Sequence, residues 1–263
     1  MSGNDLIVLK VGGSVMGEDA AALDLIASLN DGGHSIVVVH GGGPLVGEWA
    51  TRLGYETKFV RGLRVTDEPT RDLALAVLGG LANARIVATL IGRGVPAVGL
   101  LGIDGGMLRA QREDSELGLV GRVIRVESGL LEELIAEGRV PVVAPAALEE
   151  PTSDGEAPVV LNVNGDSAAG AIAAALGARM LVFVTDVPGV RAKDGRVVAT
   201  LDRERAKALV DDGTIEGGML PKVEACLVAS GAGCRAAIVE GRSGDAVERL
   251  LAGERVGTVF EAA

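Results

Sequence analysis

Residues 6–14 read Leu6-Ile7-Val8-Leu9-Lys10-Val11-Gly12-Gly13-Ser14: five apolar side chains around one lysine, then a glycine pair. A continuous apolar run bounded by glycine predicts a strand buried on both faces. The same signature recurs in SIVVVH (35–40), VPAVGL (95–100), VPVVAP (140–145), MLVFVT (180–185) and RAAIVE (235–240). Between the runs lie stretches of helical periodicity: 19–30, 45–53, 68–78, 82–92, 128–137, 167–176, 202–210, 221–230 and 245–251. Strands alternating with helices predict an α/β fold, a mostly parallel sheet with helices on both faces. Hairpins are expected around ETKFVRGLRVTD (56–67) and around the Asp194-Gly195 turn of GVRAKDGRVVAT (189–200). The polar stretch EEPTSDGEAP (149–158) reads as a loop, and a soft boundary near Gly177 divides two lobes that share one sheet.

The 263 residues are 48% apolar and 23% charged, enough to build a sizeable core and too apolar for a disordered chain. Aromatics make up only 2%, so the core is aliphatic and stacking platforms for single-stranded nucleic acid are not expected. A net charge of −11 argues against nucleic acid or an anionic membrane as partner. Cys226 and Cys234 suggest neither a disulfide framework nor a metal site, and read as buried small hydrophobes. No signal peptide or membrane span is expected, which points to the cytoplasm.

Six motifs could carry chemistry. Lys10-Val11-Gly12-Gly13 closes the first strand at the rim where open α/β sheets bind ligands. Glycines there let backbone amides approach a phosphate, and the chain has only five lysines against twenty arginines, so one kept in an apolar strand is informative. His40-Gly41-Gly42-Gly43-Pro44 ends a strand and opens a helix, an anion-binding arrangement in which His40 reads as a hydrogen-bonded structural residue. Asn162, Asn164 and Asp166 alternate along a strand end and so share a face, although one of them can serve as the cap of the next helix.

The remaining three are weaker taken singly. Thr185-Asp186-Val187-Pro188-Gly189 is a polar strand end with a Pro-Gly turn. Lys222, in Gly217-Gly218-Met219-Leu220-Pro221-Lys222, sits in the first turn of a helix against its dipole. Arg64 in GLRVTDEPT (62–70) suits a bidentate grip on a carboxylate, or is a plain surface arginine. A P-loop, a nucleophile elbow and Cys/His metal spacing are all missing, and GAGCRA (231–236) precedes a strand where a dinucleotide fingerprint must follow one.

In this order and register the six motifs resemble the amino acid kinase family, over about Leu6 to Val259. The resemblance implies a three-layer α/β/α sandwich with residues 1–177 as the acyl-substrate lobe, bearing a dimer interface, and 178–263 as the ATP lobe. GLRVTDEPT is most similar to members that phosphorylate the γ-carboxylate of N-acetyl-L-glutamate, using ATP with magnesium carried by the nucleotide. By the same resemblance Lys10, Lys222 and Asp166 are catalytic, and Gly42, Gly43, Arg64 and Asn162 hold the acceptor. Gly12, Gly13, Thr185, Asp186, Gly189, Gly218 and Met219 would line the nucleotide site, with no protein-held metal.

The sequence departs from the family pattern at Gly165, at Ala84, and at Leu101-Gly102-Ile103-Asp104-Gly105. Gly165-Asp166, Ile103-Asp104-Gly105-Gly106 and Pro145-Ala146-Ala147-Leu148 look somewhat like sister kinases acting on carrier-bound aminoadipate or glutamate. A non-catalytic nucleotide sensor would be expected to lose Lys10, Asp166 or Lys222. The first strand begins near Leu6, so an added N-terminal helix of the kind found in arginine-inhibited hexamers is not expected. That predicts a homodimer without arginine inhibition.

Overall fold

The computed structural model describes residues 5–12, 20–151, 157–241 and 245–262. Its first half runs β1 (Leu6–Val11), α1 (Ala20–Asp31), β2 (Ser35–His40), α2 (Gly43–Arg52), β3 (Phe59–Val60), β4 (Leu63–Arg64), α3 (Glu68–Leu75), α4 (Asn83–Gly92), β5 (Ala97–Leu101), β6 (Leu108–Arg112) and β7 (Val120–Val126). It continues through α5 (Gly129–Ala136), β8 (Val140–Ala144), β9 (Ala146–Glu149), β10 (Val160–Val163), α6 (Gly165–Ala175), β11 (Met180–Thr185), α7 (Arg203–Asp211), α8 (Leu220–Gly231), β12 (Arg235–Glu240), α9 (Ala246–Leu251) and β13 (Thr258–Phe260).

A seven-stranded sheet in the order β13-β12-β11-β1-β2-β8-β5 forms the middle layer, parallel except for β13. Each of the six continuous apolar runs is a strand of it. Side chains alternate across the sheet. Leu6 and Val8 pack with α5, α6, α7 and α8 on one face, while Ile7, Leu9 and Val11 pack with α1, α4 and α9 on the other. That alternation places Lys10 on the α6 face, at the carboxyl end of the central strand. β11 to β13 follow Gly177 in the chain and join the earlier strands through the β1–β11 pairing, so the sheet is continuous.

Three expectations change. The helices at 68–78 and 82–92 are one helix from Glu68 to Gly92, with a π-helical turn over Ala76–Ala82. Gly79-Gly80 does not break it, because Gly79 leaves room for Leu101: a Cβ there would lie 2.5 Å from Leu101 Cδ2. This helix is long and apolar enough to span a membrane by composition. Here it covers the core, with Val77, Leu78 and Ala82 against α2 and Ile86 and Leu90 against the sheet. The 189–200 hairpin forms around Asp194-Gly195 but is too short for full strands. Its arms are joined by the Arg191–Val197 bridge and by bonds from Ala192 N to Arg196 O and Val198 N to Val190 O, whereas the Phe59–Arg64 hairpin forms as β3 and β4. Lastly, β6, β7, β9 and β10 close a small barrel beside the sheet. The Asp104 Oδ2 atom, accepting from Leu101 N at 2.8 Å, pins the turn of residues 101–105 that leads into it.

Candidate active site

The carboxyl ends of β1, β2, β8 and β10 and the amino ends of α2 and α6 surround a cleft of about 220 Å³. Asp166 sits at its base. Asn164 caps α6, its Oδ1 accepting from Asp166 N at 2.8 Å and Ser167 N at 3.2 Å, which fixes the first helical turn. Asn162 lies in β10, Asn164 is the cap and Asp166 is helical, so the three do not alternate along one strand as expected. All three nevertheless line the cleft.

Asp166 is 4% exposed and divides its two oxygens between two lysines from opposite directions. Lys10 Nζ lies 2.5 Å from Oδ1, and Lys222 Nζ donates to Oδ2 at 2.8 Å. Each oxygen of the carboxylate is thus held by one ammonium group. Burial works to raise the Asp166 pKa, but the two ammonium groups outweigh it and hold the carboxyl below its ordinary range. For Lys10 burial dominates; the Lys222 charge adds to it, and the pKa is lowered despite Asp166. The buried cluster carries a net charge of +1, and the positive ends of α2 and α6 face the same space, so the cleft attracts anions inside an acidic chain.

The other wall is built for a carboxylate. Arg64 Nη2 donates to Gly43 O at 2.9 Å, while its Nη1 is buried without a partner. Burial lowers the Arg64 pKa. An unpaired buried guanidinium nitrogen is costly unless a ligand satisfies it. Gly43 is exposed in the first turn of α2, and Gly42 is required by packing, since a Cβ there would collide with Leu78 Cδ2.

Three residues of the site were not singled out in the sequence. Thr66 is fully buried; its Oγ1 donates to Arg64 O at 2.8 Å and accepts from Asn162 Nδ2 at 3.1 Å, bracing both cleft residues. Asn83 donates to Val142 O at 2.8 Å and approaches His40 Nε2 at 3.2 Å, while His40 Nδ1 meets Gly41 O at 2.8 Å. These bonds assign the proton to Nδ1, and burial together with the Lys10 charge lowers the His40 pKa, so His40 is a neutral structural residue. The signal for Asn83 is Gly99 in the middle of β5, where a Cβ would collide with Asn83 Oδ1. Phe59 lines the same cleft.

The residues expected at the nucleotide end are more dispersed. Gly12 follows β1, and Thr185-Asp186 end the neighbouring β11, so both reach the same sheet rim. Thr185 Oγ1 accepts from Val187 N at 3.1 Å and donates to Val187 O at 2.9 Å, which shapes the turn; Asp186 is exposed. Gly189 is buried against Thr258, where a Cβ would lie 2.7 Å from Oγ1. Gly218 O accepts from Lys222 Nζ at 3.2 Å, and Met219 leads into α8. Gly13 lies outside the described residues. No group of His, Cys, Asp and Glu able to hold a metal occurs among the described residues.

A model of the amino acid kinase family matches residues 5–240, and the chain belongs to that family. Its relatives include acetylglutamate kinases from Dehalococcoides mccartyi, 42% identical over 98% of this chain and 94% of that protein, and from Sinorhizobium medicae, 43% identical over 93% and 86%. Among solved structures, a Streptococcus mutans protein superposes with a TM-score of 0.84 at 26% identity, covering 99% of this chain and all of its own.

Proposed function

We propose that this protein transfers the γ-phosphoryl group of ATP to the γ-carboxylate of N-acetyl-L-glutamate, giving N-acetyl-L-glutamyl 5-phosphate for arginine biosynthesis. The observation that carries the acceptor assignment is that Arg64 lines the same cleft as Lys10 and Asp166, with Lys222 on the second oxygen of Asp166. Arg64 would hold the α-carboxylate of the acceptor, with Asn162 and the Gly42-Gly43 turn alongside.

The acceptor carboxylate, with a pKa of roughly 4.3, is ionised at neutral pH and needs no general base. This suits a site whose histidine is buried, neutral and hydrogen-bonded at both ring nitrogens. A γ-carboxylate oxygen attacks the γ-phosphorus in line, and the P–O bond to ADP breaks with its electron pair leaving on ADP. The barrier is the approach of an anion to a polyanion, so positioning and positive charge do the catalysis. Lys10 and Lys222 would supply that charge, and Asp166 would keep both ammonium groups on the same side of the transferring group. Magnesium would accompany the triphosphate and neutralise part of its charge; both oxygens of Asp166 already face lysines, so the nucleotide oxygens are the better ligands.

Residues 1–177 would bind the acceptor and 178–263 the adenosine end of ATP, along the rim of Gly12, Gly13, Thr185, Asp186, Gly189, Gly218 and Met219. A cytoplasmic homodimer is the assembly we favour. β5 is an open sheet edge, and beside it the Glu68–Gly92 helix leaves Ile91 56% exposed. Incubation with ATP, magnesium and hydroxylamine tests the acceptor. Hydroxamate should form with N-acetyl-L-glutamate and not with free glutamate or N-acetyl-aminoadipate; the reverse selectivity would overturn the proposal.

A further inference from the structure

The chain has three phenylalanines; Phe183 and Phe260 are fully buried core residues, whereas Phe59 is 58% exposed at the mouth of the cleft. Phe59 and Arg64 are directly opposed across the two-residue strands β3 and β4, so their side chains leave the hairpin on the same face. The Arg64 guanidinium carbon lies 4.8 Å from the centre of the Phe59 ring. One hydrogen bond, from Nη2 to Gly43 O at 2.9 Å, holds the guanidinium at its edge.

A single hydrogen bond leaves a planar group free to swing about that bond. A ring stacked on its face removes the swing, and the two restraints together fix the guanidinium where Arg64 lines the cleft. From this geometry we propose that Phe59 is a positioning residue for the acceptor site, orienting the Arg64 guanidinium so that it presents a fixed edge to the planar α-carboxylate. The inference rests on the acceptor reading given above. It also accounts for a large apolar ring left in water in a chain with only 2% aromatic residues. The ring stacks on Arg64, the residue assigned to hold the acceptor, so the effect expected is on acceptor affinity and not on the transfer step.

The test compares Phe59→Leu, which keeps apolar bulk without a π face, with Phe59→Tyr, which keeps the face. Phe59→Leu should raise the KM for N-acetyl-L-glutamate roughly three- to tenfold, as expected for loss of one cation–π contact and of preorganisation. Its kcat, its KM for ATP and its melting temperature should stay near those of the wild type, and Phe59→Tyr should restore the wild-type KM. In an Arg64→Gln background, which has no cation at this position, Phe59→Leu should cause no further fall in kcat/KM. An unchanged KM in Phe59→Leu, or an equal loss in the Arg64→Gln background, overturns the inference while leaving the acceptor reading intact. A wild-type protein that forms no hydroxamate with N-acetyl-L-glutamate overturns both.

Discussion

Gly170 of α6 and Ala225 of α8 are packed so closely that a Cβ on Gly170 would lie 2.8 Å from Ala225 Cβ and 2.9 Å from its Cα. This contact sets the crossing of the two helices. Asp166 stands one turn before Gly170 and Lys222 one turn before Ala225, so the crossing is also what brings the carboxylate and the ammonium to 2.8 Å. Gly170→Ala should therefore push α8 off α6. Overpacking of this kind costs about 1–3 kcal/mol, which corresponds to a fall in Tm of several degrees for a chain of this size. Turnover should fall as well, because Lys222 moves with α8. Thermal melting and steady-state kinetics on the same preparation check it; wild-type values of both would remove the crossing from the account.

Thr66→Val removes a hydroxyl while keeping shape. Asn162 Nδ2 loses its partner and the Arg64 carbonyl loses a donor. A cost of about 1–3 kcal/mol in stability is expected for unsatisfied buried groups. The KM for the acceptor should rise more than the KM for ATP. Urea unfolding and the two KM values measure this, and equal changes in both constants would argue that Thr66 is purely structural.

His40 supplies a pH dependence with a definite sign. Its folded-state pKa is lowered by burial, while in the unfolded chain it titrates near 6.5. The unfolded state then binds the extra proton first, so stability falls as the pH drops below about 6.5. The loss accumulates at up to roughly 1.4 kcal/mol per pH unit. Asp166 acts in a lower window: its contribution is present above the ordinary carboxylate range and is lost as the pH falls through its depressed folded value. Chemical denaturation of wild type and His40→Gln between pH 7.5 and 5.5 separates the two. The variant should show a flatter dependence, and identical slopes would contradict the assignment.

The parallel sheet was legible because strands buried on both faces are continuous apolar runs, as in Ile36 to Val39 and Leu181 to Val184. The barrel strands β6, β7 and β9 were not. Leu108-Arg109-Ala110-Gln111-Arg112 is buried on one side only and alternates, so a search for unbroken apolar runs passes over it. The helical periodicity read as two stretches, 68–78 and 82–92, on either side of Gly79, and Gly79 makes room for Leu101, a contact more than twenty residues away in sequence that no local pattern encodes. Lys10 stood out as a scarce lysine in an apolar strand, and Lys222 as a lysine set against a helix dipole. Asp166 stood out beside Asn162 and Asn164, and Arg64 as a bidentate fork near a hairpin. Thr66, Asn83 and Gly170 hold those groups in place through partners distant in the chain, and only the fold brings them together.

The central claim is that Lys10 and Lys222 serve the transferring phosphoryl group more than the resting nucleotide. It is tested most directly by comparing kcat with ATP affinity, from calorimetry, in Lys10→Ala. We expect kcat to fall by about 10²–10³, the usual loss for one charge-stabilising group, with the Kd for ATP changed only a few-fold. Equal losses in turnover and in ATP binding would contradict the account and make Lys10 a ground-state nucleotide anchor.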